Sequence, residues 1–257
     1  MKLNDNNYNA FREVGWTVVE QVFSVEEIDR IQQRASRICD EELIQISDQS
    51  YFADRTDSGE LRPRKLDHPF LKHADFRGFA LDEQLRSLVE KLIGKQPLLV
   101  QDQIFMKPPR FGSAKPYHQD NAYFRLHPDG EAITAWIALD DVDEGNGCLR
   151  YIDGSHLGPI LEHCGTPDEP YNLSPAQADI DLSRESCACV GKGGVVFHHI
   201  KTLHTSHRNR SDRWRRAYAT HWASADVTSE NETIQEAYYN ANVDLYNQAT
   251  GRCVTDA

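Results

Sequence analysis

The sequence predicts a mainly β domain, a jelly-roll sandwich with flanking helices, and three observations carry that reading. Helical periodicity is confined to the part of the chain before Gly94, alternation and short β-rich runs take over after it, and turn dipeptides separate those runs. At 257 residues the chain suits one domain with its own core. We divide it into a helical N-terminal layer over about 1–95, a jelly-roll core over about 96–225 and a C-terminal extension over 226–257.

In chain order, Ser24 and Glu27 have the spacing of a capping box, which starts a helix. Ile28, Ile31, Ala35 and Ile38 follow at three- and four-residue spacing, so one face packs and the other meets water. Asp82 caps a second helix, Leu85, Leu88, Val89 and Leu92 form its stripe, and Gly94 ends it. The polar stretch 47–65 between the helices reads as loop. Strands are expected over 98–107, 132–139, 148–152, 186–190, 195–200 and 214–223, with turns at Asn146-Gly147, Asp153-Gly154 and Gly193-Gly194. No internal repeat or low-complexity tract interrupts this order.

Hydrophobic residues at 39% and charged residues at 26% describe an ordinary water-soluble globular chain. A net charge of −12 provides no basic stripe to neutralise phosphates, despite the arginines between Arg208 and Arg216, which argues against nucleic acid as a partner. No apolar run reaches bilayer length and the first residues lack the apolar segment of a secretory leader, so the expectation is no membrane partner and a cytoplasmic location. The final Val-Thr-Asp-Ala is not a peroxisomal signal. Six scattered cysteines are expected as reduced thiols, and Cys187 and Cys189 lack both the spacing and the second pair of a zinc site. Oligomeric state is not encoded in any recognisable pattern.

The chemistry-bearing residues begin with His118 and Asp120. Residues two apart on an extended strand project to one face, so this pair can reach one metal ion together. In a chain with 11 histidines a His-x-Asp arises by chance about once, so a third ligand must support it. The richest source is 197–216, which holds His198, His199, His204 and His207, then Arg213, Arg215 and Arg216. Two imidazoles and one carboxylate make the facial triad of non-haem iron oxygenases, which leaves half the coordination sphere for a chelating cosubstrate and dioxygen. His198 and His199 read as sheet residues and His207 as a loop residue. On the last strand Arg215 shares a face with Ala217 and Ala219, whereas Arg216 points away. Trp136 shares a face with Thr134, opposite Ile133, Ala135, Ile137 and Leu139.

These residues carry a family resemblance. His118-x-Asp120, the strand from Trp136 to Leu139, Asn146-Gly147-Cys148-Leu149, Asp153-Gly154-Ser155-His156, Gly193-Gly194 before a β-rich run, and His204-x-Ser206 with Asn209, Ser211 and Arg215 occur in one order over about 101–222. Together with Gly15-Trp16-Thr17-Val18-Val19 and its following helix, they resemble the phytanoyl-CoA dioxygenase family of iron(II)- and 2-oxoglutarate-dependent oxygenases. The resemblance implies a double-stranded β-helix of the cupin-like kind, with ferrous iron, 2-oxoglutarate and dioxygen at one site. His118, Asp120 and His204 would ligate iron. Arg215, eleven residues beyond His204, would grip the far carboxylate of 2-oxoglutarate through two parallel charge-assisted bonds. Ser206 and Trp136 match further cosubstrate contacts, and Lys65 and Gln103 match them less closely, with Gln101 on the same face as Gln103. An intact Asp120 favours hydroxylation over halogenation, because related halogenases carry a small residue there. Asn121, Tyr123, Phe124 and Arg125, together with His156, are candidates for the substrate rim. Their mixture of amide, phenol and guanidinium favours a polar small molecule. Where the family usually has proline before Gly-Ser-His, this chain has Asp153. Two other classes fit parts of the pattern: a cupin-like isomerase or hydrolase without 2-oxoglutarate, and a non-catalytic jelly-roll binding module. Neither requires Arg215 at its spacing from His204.

Overall fold

Two antiparallel sheets face each other in the computed structural model, which describes residues 3–45, 52–56, 58–165, 172–230 and 232–250. The larger contains β1 (Trp16–Val19), β4 (Lys65–Asp67), β5 (Pro97–Lys107), β8 (Ala132–Ala138), β11 (Val195–His199) and β13 (Arg215–Ser224), in the spatial order β1-β11-β8-β13-β5-β4. The smaller contains β6 (Lys115–His118), β9 (Leu149–Ile152), β10 (Glu185–Ala188) and β12 (His204–Ser206), in the order β10-β9-β12-β6. Two short ladders pair β2 (Ala53–Arg55) with β3 (Leu61–Pro63), and β7 (Leu126–His127) with β14 (Thr228–Ser229). This is the jelly roll that the β-rich runs and their turns imply.

Helices cover the outer face of the larger sheet. They are α1 (Asp5–Val14), α2 (Val25–Gln45), α3 (Pro69–Lys72), α4 (Ala74–Ala80) and α5 (Glu83–Ile93), with α6 (Asn121–Phe124) beside the sandwich and α7 (Glu232–Ala241) and α8 (Val243–Thr250) closing the chain. At the start of α2 the Glu27 amide donates to Ser24 Oγ at 3.3 Å and the Ser24 amide donates to Glu27 Oε2 at 2.9 Å. The Leu85 amide donates to the Asp82 side chain at 3.1 Å at the start of α5, and Gly94 ends it in the left-handed region. The expected stripes then bury Ile28, Ile38, Leu85 and Val89 completely against Ile104, Ile137, Phe197 and Trp222 of the sheet. Truncating one such side chain to alanine costs about 2–5 kcal/mol.

The stretch expected as loop between the helices is partly strand. Residues 46–51 and 57 lie outside the described residues, but β2 and β3 pair and Lys65 opens β4 at the sheet edge. Three-residue strands are too short to display a period of two, which is why the pattern is silent there. The N-terminal layer thus supplies two strands of the larger sheet, and β1 is its other edge. Asp153, which replaces the usual proline, accepts from Trp16 Nε1 and from Ser186 Oγ, each at 2.7 Å, and so fastens β1 and β10 to the turn after β9. The cysteines among the described residues are all free thiols. No helix among the described residues is long and apolar enough to cross a membrane.

The two faces of the larger sheet differ in kind. Ile133, Ala135 and Ile137 of β8 and Tyr218 of β13 pack outward on the helices. Trp136, Ala138, Ala217 and Ala219 turn inward to the smaller sheet, where the alanines leave space. Arg216 confirms the division: its Nε and Nη2 each donate to Asp140 at 2.8 Å, and Nη1 donates to Ser36 Oγ on α2 at 3.0 Å. Its neighbour Arg215 faces the space between the sheets.

Candidate active site

A cavity of about 370 Å³ opens between the two sheets, and His118, Asp120 and His204 lie at its floor. His204 and His118 are direct cross-strand partners on β12 and β6, which brings their rings to a centroid separation of 4.2 Å. Asp120 reaches them differently from the sequence expectation. β6 stops at His118, and Asp120 already has a helical backbone at the start of α6. The turn that returns it is held by Gln119, whose Nε2 donates to the carbonyls of Pro159 at 3.2 Å and Lys201 at 2.8 Å while Oε1 accepts from the Leu161 amide at 2.8 Å. Asp120 Oδ1 consequently stands 3.7 Å from Nε2 of both histidines. The ligand atoms of the three residues all lie within 4.8 Å of one another, the one such group among the described residues.

The surrounding hydrogen bonds direct the lone pairs inward. His118 Nδ1 donates to the Pro116 carbonyl and His204 Nδ1 donates to the Thr202 carbonyl, each at 2.9 Å, so both Nε2 atoms are left as acceptors. Burial pushes His204 down to about 4 and holds His118 well below the usual histidine range, the neighbouring His204 adding to the effect. Burial alone would raise the Asp120 carboxyl, but the His204 and His198 imidazoles hold it well below the usual carboxylate range. Its Oδ2 accepts from Thr134 Oγ1 at 2.6 Å and from His198 Nε2 at 2.9 Å. His198 in turn accepts from the Tyr151 hydroxyl at 2.8 Å. Oδ2 is therefore occupied and Oδ1 is presented. Two imidazoles and one carboxylate oxygen, neutral and anionic as a divalent cation requires, fit ferrous iron in a three-ligand arrangement.

At the other end of the cavity Arg215 is 3% exposed, its guanidinium 5.4 Å from the Trp136 ring and its Nε without a hydrogen-bond partner. Burial pushes it down to about 9. A buried cation with unsatisfied donors is a costly arrangement in isolation and a ready receptor for a carboxylate, so these residues fit a dicarboxylate such as 2-oxoglutarate. Ser206 and Trp136 line the same space. Lys65 and Gln103 also reach it, both anchored on Asp67, at 3.0 Å and 2.8 Å respectively.

Of the rim candidates, the structure brings Tyr123 and Phe124 to the cavity and leaves three outside it. Tyr123 lies edge-on to the His118 ring at 5.7 Å and Phe124 edge-on to His221 at 4.6 Å. Asn121 instead ties its own loop, exchanging bonds with the Leu126 amide at 2.7 Å and carbonyl at 3.0 Å. Arg125 adopts a left-handed backbone and pairs with exposed Glu230 at 3.2 Å. His156 sits under α1, its Nε2 donating to the Arg12 carbonyl at 3.2 Å. The single helical turn of α6 explains the split among residues 121–125, because its successive side chains fan out by about 100° where a strand would alternate them.

Several site residues escaped sequence reasoning. His198 and Thr134 act on Asp120, His221 Nδ1 meets Thr134 Oγ1 at 2.8 Å, and Gln119 shapes the turn. The signal was parity, since Thr134 shares the face of Trp136 and His221 that of Arg215. Lys107, the cross-strand partner of Arg215, is the other. Its buried ammonium donates to the carbonyls of Ser113, Ser206 and His207 at 2.6, 3.2 and 2.7 Å and pins the end of β12. Gly147 permits this closeness, because at φ +89 a Cβ there would lie 2.5 Å from the His207 carbonyl oxygen.

A jelly roll with two histidines and one aspartate converging at the base of a cavity, and a buried arginine across it, defines a non-haem metalloenzyme of the iron oxygenase class. The family model described as Phytanoyl-CoA dioxygenase (PhyH) matches residues 11–217, and the chain belongs to that family. It is an iron- and 2-oxoglutarate-dependent oxygenase, which removes the readings as a cosubstrate-free cupin or a binding module. Among similar proteins, the peroxisomal phytanoyl-CoA dioxygenase of Mus musculus is 26% identical over 238 residues, covering 84% of this chain and 67% of its own. A probable alpha-ketoglutarate-dependent hypophosphite dioxygenase of Stutzerimonas stutzeri is 28% identical, covering 83% and 76%. Among solved structures, the non-heme alpha ketoglutarate dependent carbocyclase SnoK from nogalamycin biosynthesis superposes with a TM-score of 0.68 at 26% identity, covering 89% of this chain and 87% of that one.

Proposed function

We propose that the protein hydroxylates a C–H bond of a polar small molecule, such as a glycoside, an amino acid or a phosphonate, with succinate and carbon dioxide as coproducts. The observation that supports this reading is the polar part of the cavity wall: Lys65, Asp67, Gln101, Gln103 and Lys115 line a space of about 370 Å³, and a long acyl chain laid against them would leave these groups without partners. Similar proteins act on hypophosphite and in nogalamycin biosynthesis by their descriptions, so small polar and natural-product substrates are within the reach of this fold.

In this reading His118, Asp120 and His204 hold ferrous iron, and Arg215 receives the far carboxylate of 2-oxoglutarate beside Ser206 and Trp136. Iron with its cosubstrate, when bound, supplies the activation of dioxygen and the oxidising power for C–H cleavage. The protein's own residues do the positioning. Thr134 and His198 hold Asp120 by its outer oxygen, which leaves Oδ1 as the atom that would take the metal. Lys107 fixes the strand end that carries Ser206, and the Trp136 ring backs the Arg215 guanidinium that would take the carboxylate. Tyr123 and Phe124 wall off the floor from water and face the substrate.

The test is a succinate-release screen under ferrous iron and 2-oxoglutarate, set over polar metabolites, glycosides and acyl thioesters. Substrate-dependent succinate is expected from the polar sets. Release with acyl thioesters and with no polar compound would refute the substrate class.

A further inference from the structure

Two buried acceptors stand at the end of the cavity opposite Arg215. Along β13 the inward face carries Arg215, Ala217, Ala219 and His221, so His221 closes the row that Arg215 opens. A bulge follows, because His221 pairs with Gln101 whereas Trp222 pairs with Leu99, and such irregularities re-aim side chains beside active sites. Both His221 and Gln101 line the cavity, and they are 3% and 7% exposed. The orientation of His221 is set from the triad. The Thr134 hydroxyl has one proton, which goes to Asp120, so His221 Nδ1 must donate to Thr134 Oγ1 and Nε2 is left as an acceptor. Neither His221 Nε2 nor Gln101 Oε1 has a hydrogen-bond partner. Buried acceptors are ordinarily paired, and an occupant that satisfies them gains affinity over one that does not.

We propose that Gln101 and His221 form the recognition end of the substrate site and take a hydroxyl group, which narrows the substrate class to polyhydroxylated molecules such as sugars; this rests on the polar-substrate reading above. A carboxylate or phosphonate brings only acceptors and would face two lone pairs. An ammonium brings donors but no acceptor. A hydroxyl donates and accepts, so it also serves either face of the Gln101 amide.

The test uses glycerol and its trimethyl ether, 1,2,3-trimethoxypropane, as probes of the anaerobic ferrous 2-oxoglutarate complex. Binding is followed by the visible charge-transfer band and located by crystals soaked in each. Glycerol is expected to bind at least about tenfold tighter than the ether, with hydroxyls on Gln101 Oε1 and His221 Nε2. Gln101→Met should lose that preference and keep the band, and Gln101→Glu, which retains acceptors, should keep both. Equal binding of the two probes, glycerol lodged elsewhere, or loss of the band in Gln101→Met, which would place Gln101 on the cosubstrate, would each overturn the inference. The polar-substrate reading fails separately, in the succinate screen of the unaltered enzyme.

Discussion

Replacing Arg215 with methionine should stabilise the protein without cosubstrate and destroy its ability to bind 2-oxoglutarate. The guanidinium is fully buried, and its fall from 12.5 to about 9 corresponds, at about 1.36 kcal/mol per pH unit, to about 5 kcal/mol of charge burial without compensation. Because the folded value lies below the unfolded one, that cost is present in full at neutral pH and is relieved only as pH rises through about 9. Methionine removes the charge but forfeits the contact with Trp136, so we expect a net gain of about 2 kcal/mol, or roughly 4–8 °C in melting temperature for a domain of this size. With saturating 2-oxoglutarate the order should invert, since wild type gains two charge-assisted bonds and the variant gains none. Differential scanning calorimetry of the anaerobic metal-loaded proteins, with and without cosubstrate, measures both shifts. A variant that melts below wild type without cosubstrate, or that keeps the ferrous 2-oxoglutarate band, would refute the reasoning.

Three further outcomes are expected. Asp120→Ala should abolish succinate formation coupled to the true substrate, and retained activity would remove Asp120 from the triad. Thr134→Val deprives Asp120 Oδ2 of one donor, and ferrous affinity measured by competition with a chelator should fall about 10- to 100-fold while the fold survives. Asp102 is wholly buried and burial raises it to about 6, against 3.8 ordinarily. Its folded value is raised, so the native state loses stability as pH climbs from about 4 to about 6, by about 3 kcal/mol. Urea unfolding of wild type and Asp102→Asn at pH 4 and pH 7 should show the difference between them shifting by about that amount in favour of the variant at the higher pH.

Much of the frame was legible because periodicity extends over long elements. α2 and α5 announce their caps and stripes and α5 its stop, and the long strands β5, β8 and β13 begin and end within a residue of expectation. The side of β13 that carries Arg215 followed from alternation alone. What stayed hidden is local geometry set by distant partners. Whether Asp120 continues a strand or starts a helix depends on Gln119 gripping the 159–161 loop and Lys201, contacts that no spacing encodes. His198 looked like any sheet histidine because its role requires Asp120 and Tyr151 to arrive from other strands. His156 was misplaced for the reverse reason, since its proximity to the turn after β9 says nothing about α1 lying over it.

The C-terminal helix α7 reaches far into the site without touching it. The Tyr238 hydroxyl donates to the Asp102 carboxylate and accepts from the Asp102 amide at 2.8 Å, while His68, a cavity residue, lies 3.0 Å away. Asp102 sits between Gln101 and Gln103, so this brace backs the very stretch of β5 that presents both amides. A fragment cut after Ser229 would retain every side chain assigned to metal and cosubstrate, and its inactivity would report a lost buttress, not missing chemistry.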